Sequence, residues 1–181
     1  MFAVVGKWAT NHYYDRHLLR EAVKVLPGEY YVAEQSHKLL VAVVGSCVAV
    51  CLYDLKAGIV GINHFMNPAC SDYADNMMKT LTERVLKMGA DPRHLESKIF
   101  GGSHFVENAI NGKKNAEFAL QFLQKKQIPV VAQDLFESFP RKIYVFAENA
   151  RVRVKRLHHL NNATLFERER KYAELLNKQL Q

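Results

Sequence analysis

Leu39-Leu-Val-Ala-Val-Val-Gly45-Ser46-Cys47-Val-Ala-Val-Cys51-Leu-Tyr53-Asp54 runs through apolar and β-branched residues with one interruption, at Gly45-Ser46-Cys47. A run of this kind reads as strand buried on both faces, and the glycine marks a kink or tight turn within it. Asp54-Leu-Lys-Ala-Gly58 then reads as a turn, and Ile59–Met66 as the strand that returns.

Upstream, Tyr30 and Val32 also read as strand, while Leu18, Leu19, Ala22 and Val25/Leu26 at helical spacing predict a helix over residues 10–26 that stops at Pro27-Gly28. Downstream, Ser71 or Asp72 can cap a helix with Tyr73, Met77, Leu81, Val85 and Met88 on one stripe, ended by Gly89. Ser97–Phe100 is a short strand running into Gly101-Gly102, and a second helix starts near Asn115 and stops before Pro129. Val130–Ala132, Ile143–Ala147 and Arg151–Leu157 read as strands, the last two joined as a hairpin around Glu148-Asn149. Residues 163–180 form a final amphipathic helix with Leu165, Tyr172, Leu176 and Leu180 on one side. Strands and helices mixed without strict alternation point to an α+β layered sandwich. The expected organisation is an N-terminal helical extension over 1–27, a body over 28–157 and a basic helical extension over 158–181.

The chain has 181 residues, 49% hydrophobic and 24% charged, which suits one domain with a sizeable core. No apolar run approaches the ~20 residues of a membrane helix, and the apolar opening is shorter than a signal-peptide core of roughly 7–15, so a cytoplasmic protein is expected. The net charge of +7 is mostly a tail property: residues 151–181 hold 8 basic and 3 acidic residues, against 17 and 15 in residues 1–150. Nucleic-acid binding through that tail is disfavoured, because it lacks interleaved aromatics. Cys47, Cys51 and Cys70 cannot all pair internally, which argues for a free thiol rather than a disulfide framework.

The hairpin suggests where that thiol is. If Tyr53 and Gly58 close it, Cys47 falls directly opposite His64, and opposed residues sit about 4.5–5.5 Å apart. A thiol and an imidazole at that spacing can share a proton and yield a nucleophilic thiolate. Gly45 permits a sharp turn that could aim backbone N–H groups near Ser46 and Cys47 at a developing oxyanion. The bland reading of a lone cysteine is a buried small hydrophobe, and Cys51 is read that way. The Met77, Met78 and Met88 group reads as core, and Arg151–Arg156 as a solvated hairpin face.

Gly45-Ser46-Cys47-Val-Ala-Val-Cys51-Leu-Tyr53-Asp54, followed by Gly61-Ile-Asn63-His64-Phe-Met-Asn-Pro68, resembles the signature of the CheD family of chemoreceptor glutamine deamidases. Gly28-Glu29-Tyr30, Tyr73-Ala74-Asp75, Lys98-Ile-Phe-Gly101-Gly102-Ser103, Asn111-Gly112 and Asn115 agree in order, so the likeness spans about residues 28–157. It implies an α/β/β/α sandwich akin to the deamidating bacterial toxins. It also implies an amidohydrolase of bacterial chemotaxis that converts selected glutamines of methyl-accepting receptors and needs no metal or organic cofactor. Cys47 matches the nucleophile and His64 the base, with Gly45, Ser46 and Asn63 in supporting places. The implied partners are the receptors and a CheC-type phosphatase, with no nucleic acid and no membrane insertion.

Three departures stand out. Val41 occupies the place of the family's third catalytic residue, a threonine, so another group must orient His64; Asn63, Ser46 and Ser103 are candidates. Val43 replaces one of the glycines before the cysteine. After Asp134 the family's Gly-Gly stretch has become Leu-Phe-Glu-Ser-Phe-Pro140, which predicts a reshaped loop near the site. The alternative these changes motivate is a catalytically weak or inactive adaptor that binds receptors or a CheC-type phosphatase.

Overall fold

In the computed structural model of the protein, residues 6–66, 72–104, 112–158 and 163–179 are described. The strands are β1 (Lys7–Trp8), β2 (Asn11–Asp15), β3 (Arg20–Lys24), β4 (Glu29–Glu34), β5 (Leu39–Val44), β6 (Val48–Asp54), β7 (Ile59–Phe65), β8 (Glu96–Gly101), β9 (Val130–Leu135), β10 (Arg141–Phe146) and β11 (Val152–Arg156). The helices are α1 (Tyr73–Lys87), α2 (Gly112–Lys125) and α3 (Ala163–Gln179). One sheet has six strands in the order β1-β4-β7-β6-β8-β9, the other five in the order β11-β10-β5-β3-β2.

The interruption at Gly45-Ser46-Cys47 is a change of sheet. β5 belongs to the five-stranded sheet and β6 to the six-stranded one, so the three residues carry the chain across the sandwich. Between the sheets, Leu40, Ala42 and Val44 of β5 pack with Ala49, Cys51 and Tyr53 of β6, Val60 and Ile62 of β7, and Ile143 and Val145 of β10. The other face of the six-stranded sheet is covered by α1 and α2. α1 buries Tyr73, Ala74, Met77, Met78, Leu81 and Val85 at the helical period expected of it. It lies close on β7 because Gly61 has no side chain: a Cβ there would stand 2.9 Å from both Leu81 and Val85. Burying Met77, Leu81 and Val85 contributes about 1.5–3 kcal/mol each. The α+β class is as expected. Where a second helical layer was implied, the outer face of the five-stranded sheet carries instead a small cluster of Ala22, Leu39 and Val41 with Tyr13, Leu18, Tyr144 and Phe146.

Two expectations are corrected. Residues 10–26 are a hairpin, not a helix: β2 pairs antiparallel with β3, and β3 pairs parallel with β5. β3 is an interior strand with Ala22 and Val23 both buried, so its period of two is hidden. Leu18 and Leu19, which suggested the helical stripe, sit in the turn, where the Asp15 carboxylate accepts from the N–H groups of His17 and Leu18. Leu19 is 70% exposed. The second correction is the register of the central hairpin. Asp54 pairs with Ile59 and Ala49 with His64, a shift of two from the expected pairing. The Asp54 carboxylate holds the N–H groups of Lys56 and Ala57, which draws Leu55–Gly58 into a four-residue loop and leaves Gly58, at φ +70°, outside the strand. The remaining elements lie where expected, with β9 longer than its apolar core, α2 starting three residues earlier, and α3 ending at Gln179. Cys70, Ser71 and Asn111 lie outside the described residues.

Candidate functional site

The turn at Gly45–Cys47 is held from behind. The carbonyl of Gly45 accepts from Ser103 N–H at 2.9 Å, that of Ser46 from the Asn115 side-chain amide at 2.8 Å, and that of Cys47 from Gly102 N–H at 2.9 Å. Gly101 lies so close that a Cβ there would stand 2.2 Å from the Cys47 carbonyl oxygen. Gly101, Gly102, Ser103 and Asn115 all belong to the resemblance, and all four support one turn.

With its carbonyls bound on that side, the turn aims three consecutive N–H groups at one point. The Glu169 carboxylate of α3 occupies it. Oε1 accepts from Gly45 N–H at 2.9 Å and from Cys47 N–H at 3.4 Å, and Oε2 from Ser46 N–H at 2.9 Å and the Ser46 hydroxyl at 2.5 Å. The Cys47 thiol lies near enough to this carboxylate for its charge to disfavour the thiolate. Successive N–H groups converging in this way form an anion-binding concavity, the geometry an oxyanion hole requires. Glu169 is 1% exposed, and these donors satisfy both of its side-chain oxygens.

His64 lies on β7 opposite Ala49, and Cys47 precedes Ala49 by two residues, so the expected direct opposition of Cys47 and His64 is not found. Diagonal neighbours in a regular ladder are about 7–8 Å apart. The His64 Nδ1 is 3.0 Å from the carbonyl oxygen of Val25. A carbonyl only accepts, so Nδ1 carries the proton and Nε2 is the bare nitrogen. That Nε2 is buried and has no hydrogen-bond partner among the described residues. Burial, first, and the nearby Arg168 charge leave the imidazole neutral, with its pKa lowered to about 3, while the Val25 bond opposes them. Burial also raises the Cys47 pKa well above the ordinary thiol value, with the Glu169 charge adding to the rise and Arg168 opposing it. In this arrangement both groups are neutral, and the Cys47 N–H is bonded to the carboxylate.

The candidates named from sequence divide accordingly. Gly45, Ser46 and Cys47 form the turn. Asn63 faces α1, accepting from Val50 N–H and donating to the Met77 carbonyl, so it ties strand to helix. The Ser103 hydroxyl donates to the Phe139 carbonyl and accepts from Arg141, so neither Asn63 nor Ser103 orients His64. Ser46 is bound to Glu169. Val41 contributes through its backbone: its carbonyl accepts from Val25 N–H, and the Val25 carbonyl receives His64, while the Val41 side chain packs with Ala22 and Leu39. Cys51 packs between the sheets, in a different cluster from Cys47. Sequence reasoning missed Val25, Arg168 and Glu169. Val25 acts through its carbonyl, which no side-chain pattern reveals. Glu169 had a signal: it falls on the stripe of Leu165, Tyr172 and Leu176, a carboxylate where the helix turns its apolar side inward.

Fold and site together define an α+β sandwich protein with a cysteine set in an anion-binding turn. The chain belongs to the CheD family, whose profile, described as CheD chemotactic sensory transduction, matches residues 62–156. A probable chemoreceptor glutamine deamidase CheD 1 of Dechloromonas aromatica is 47% identical over 176 residues, covering 91% of this chain and 87% of that protein. A protein of the same description from Shewanella oneidensis is 45% identical, covering 90% of this chain and 85% of its own length. A probable chemoreceptor glutamine deamidase CheD of Laribacter hongkongensis is 42% identical over 92% of this chain and 87% of that protein. Among the described residues no helix is long and apolar enough to cross a membrane.

Proposed function

We propose that this chain removes ammonia from specific glutamine side chains of methyl-accepting chemotaxis receptors, using Cys47 as nucleophile and His64 as its proton carrier. The observation that carries the reading is the group of N–H donors at Gly45, Ser46 and Cys47 converging on a carboxylate beside the Cys47 thiol. A glutamine carboxamide in that place would have its oxygen in the anion hole and its carbon within reach of sulfur. His64 Nε2 takes the thiol proton, and the thiolate attacks the carboxamide carbon while the N–H groups hold the oxyanion. Nε2–H then protonates the nitrogen, ammonia leaves, and a glutamyl thioester remains. Water deprotonated at Nε2 cleaves the thioester, giving glutamate and restoring the thiol. The Val25 carbonyl keeps the proton on Nδ1 throughout, the service the absent threonine would otherwise give.

The test is peptide mass spectrometry on a receptor cytoplasmic fragment incubated with the full chain. Glutamine-to-glutamate conversion is expected, lost in Cys47→Ala and in His64→Ala. Absence of conversion on cognate receptors overturns the reading.

A second reading, a non-catalytic adaptor for receptors or a CheC-type phosphatase, is favoured by one observation: the Glu169 carboxylate already fills the N–H cluster that a substrate oxyanion would need. Receptor binding that survives Cys47→Ala, with no conversion by the unaltered chain, would select the adaptor.

A further inference from the structure

The described arrangement cannot itself turn over. Cys47 and His64 are both 0% exposed, and the anion hole that a substrate would need is already filled. What fills it comes from one segment. α3 reaches the turn with Glu169, the Arg168 guanidinium donates to the Val43 carbonyl at 2.6 Å, and Tyr172 hydroxyl meets that of Tyr73 on α1. Glutamate is also the product of glutamine deamidation, and here its carboxylate makes the contacts that a newly formed product carboxylate would make. The attachment is slight. Of the 17 residues of α3 only Glu169 and Leu176 are buried, and Leu175 is 57% exposed.

We propose that α3 is an internal pseudo-product: Glu169 occupies the place of the converted glutamine, closing the site until a substrate segment displaces the helix. The proposal rests on the deamidase reading for the word product; the closure stands on the Glu169 contacts alone. Displacement exposes the thiol and frees the three N–H groups together, so opening and activation are one event. It also withdraws the carboxylate that opposes thiolate formation. Substrate binding therefore competes directly with an intramolecular ligand, whose advantage is the effective concentration its tether confers.

If residue 169 lies in the product position, an amide placed there is a substrate. In Glu169→Gln, Cys47 sulfur attacks the new side-chain carbonyl carbon, the C–N bond breaks with loss of ammonia, and water cleaves the thioester to regenerate glutamate at 169.

Three measurements on the full-length protein test this. The first is iodoacetamide alkylation, with Cys47 resolved from Cys51 and Cys70 by peptide mass spectrometry. Glu169→Ala should alkylate at Cys47 at least about tenfold faster than the unaltered chain. Leu176→Ala, which loosens α3 without touching the turn, should change in the same direction. Equal rates in all three overturn the closure. The second is receptor-fragment deamidation, where both variants should exceed the unaltered chain; equal or lower rates in both overturn the closure while leaving the deamidase reading intact. The third is the mass of the peptide containing residue 169 in Glu169→Gln, which should carry the acid, and in Cys47→Ala/Glu169→Gln, which should keep the amide. Conversion of receptors with an unconverted amide at 169 overturns the pseudo-product. Protection of Cys47 with no conversion of either substrate supports the closure and overturns the deamidase reading instead.

Discussion

His64 sets a condition that reaches beyond the site. Its ring is buried and neutral, with a pKa of about 3 that burial chiefly enforces, whereas an unfolded chain titrates the same group near 6.5. Between those values the unfolded state binds the extra proton, so stability is complete above about pH 6.5 and declines as pH falls toward 3. The contribution of one such group is at most about 1.4 kcal/mol per pH unit. Replacing His64 by Gln should therefore flatten stability against pH below 6.5 by roughly that slope. At pH 7.5 the variant should lose about 1–3 kcal/mol through disturbance of the Val25 contact. Urea unfolding of both proteins at several pH values checks this; parallel curves would mean that His64 is solvated and titrates normally. The same residue shows what sequence could and could not give. The identity of His64 as a candidate was legible from its place on the strand after Cys47. Its orienting partner was not, because a backbone carbonyl at Val25 has no residue type to read, and the Val41 departure drew attention to side chains only.

At the scale of elements, the turn at Gly45–Cys47 is defined by what stands behind it. Gly101 combines φ +107° with a Cβ position 2.2 Å from the Cys47 carbonyl oxygen. Gly89 has a similar φ of +112° and nothing within 4 Å, so it separates backbone strain from collision. Gly89→Ala should cost about 1–3 kcal/mol from strain alone. Gly101→Ala should cost more, and it alone should alter the alkylation rate of Cys47, because the turn must shift. Urea midpoints with alkylation rates decide the matter; equal losses and unchanged Cys47 reactivity in both would show that the turn is not supported from this side. A related strain marks the departure after Asp134. Phe136 and Glu137 stand at φ +67° and +55°, where the resemblance has glycines, and the buried Arg141 guanidinium donates to the Phe136 carbonyl while pairing with Asp134. The altered loop thus keeps a left-handed backbone with costlier residues. Hydrophobic pattern gave the strand at 48–54 and its partner, but the register depended on Asp54 drawing four residues into the loop, which apolar spacing does not encode.

For the whole molecule, the two ends of the chain differ in kind, although sequence suggested a helical extension at each. Residues 7–24 supply β1 to one sheet and β2 and β3 to the other, and β3 lies between β2 and β5. We infer that residues 7–24 are part of the folding unit and that α3 is an addition to it. Removing residues 1–27 takes Ala22, Val23 and Val25 from the core, each 1% exposed or less, and bares the edge of β5. Two buried valines alone represent roughly 3–6 kcal/mol of apolar burial, against a total stability of about 5–15 kcal/mol for an ordinary domain. The lost β3–β5 pairing adds to this, and His64 loses the Val25 carbonyl. Removing residues 159–181 takes away, among the described residues, two buried side chains, one of them a carboxylate. The expected outcome is that the first truncation abolishes the cooperative urea transition, while the second retains one with a midpoint shifted little. A cooperative transition in the chain beginning at residue 28 would return the N-terminal segment to the status of an appendage. The asymmetry has a physical origin that composition conceals. Interior strands with both faces covered lose their alternation and resemble amphipathic helix at short range, whereas α3 shows its helical stripe because one side remains in water. The end of the chain that was legible is the end the fold depends on least.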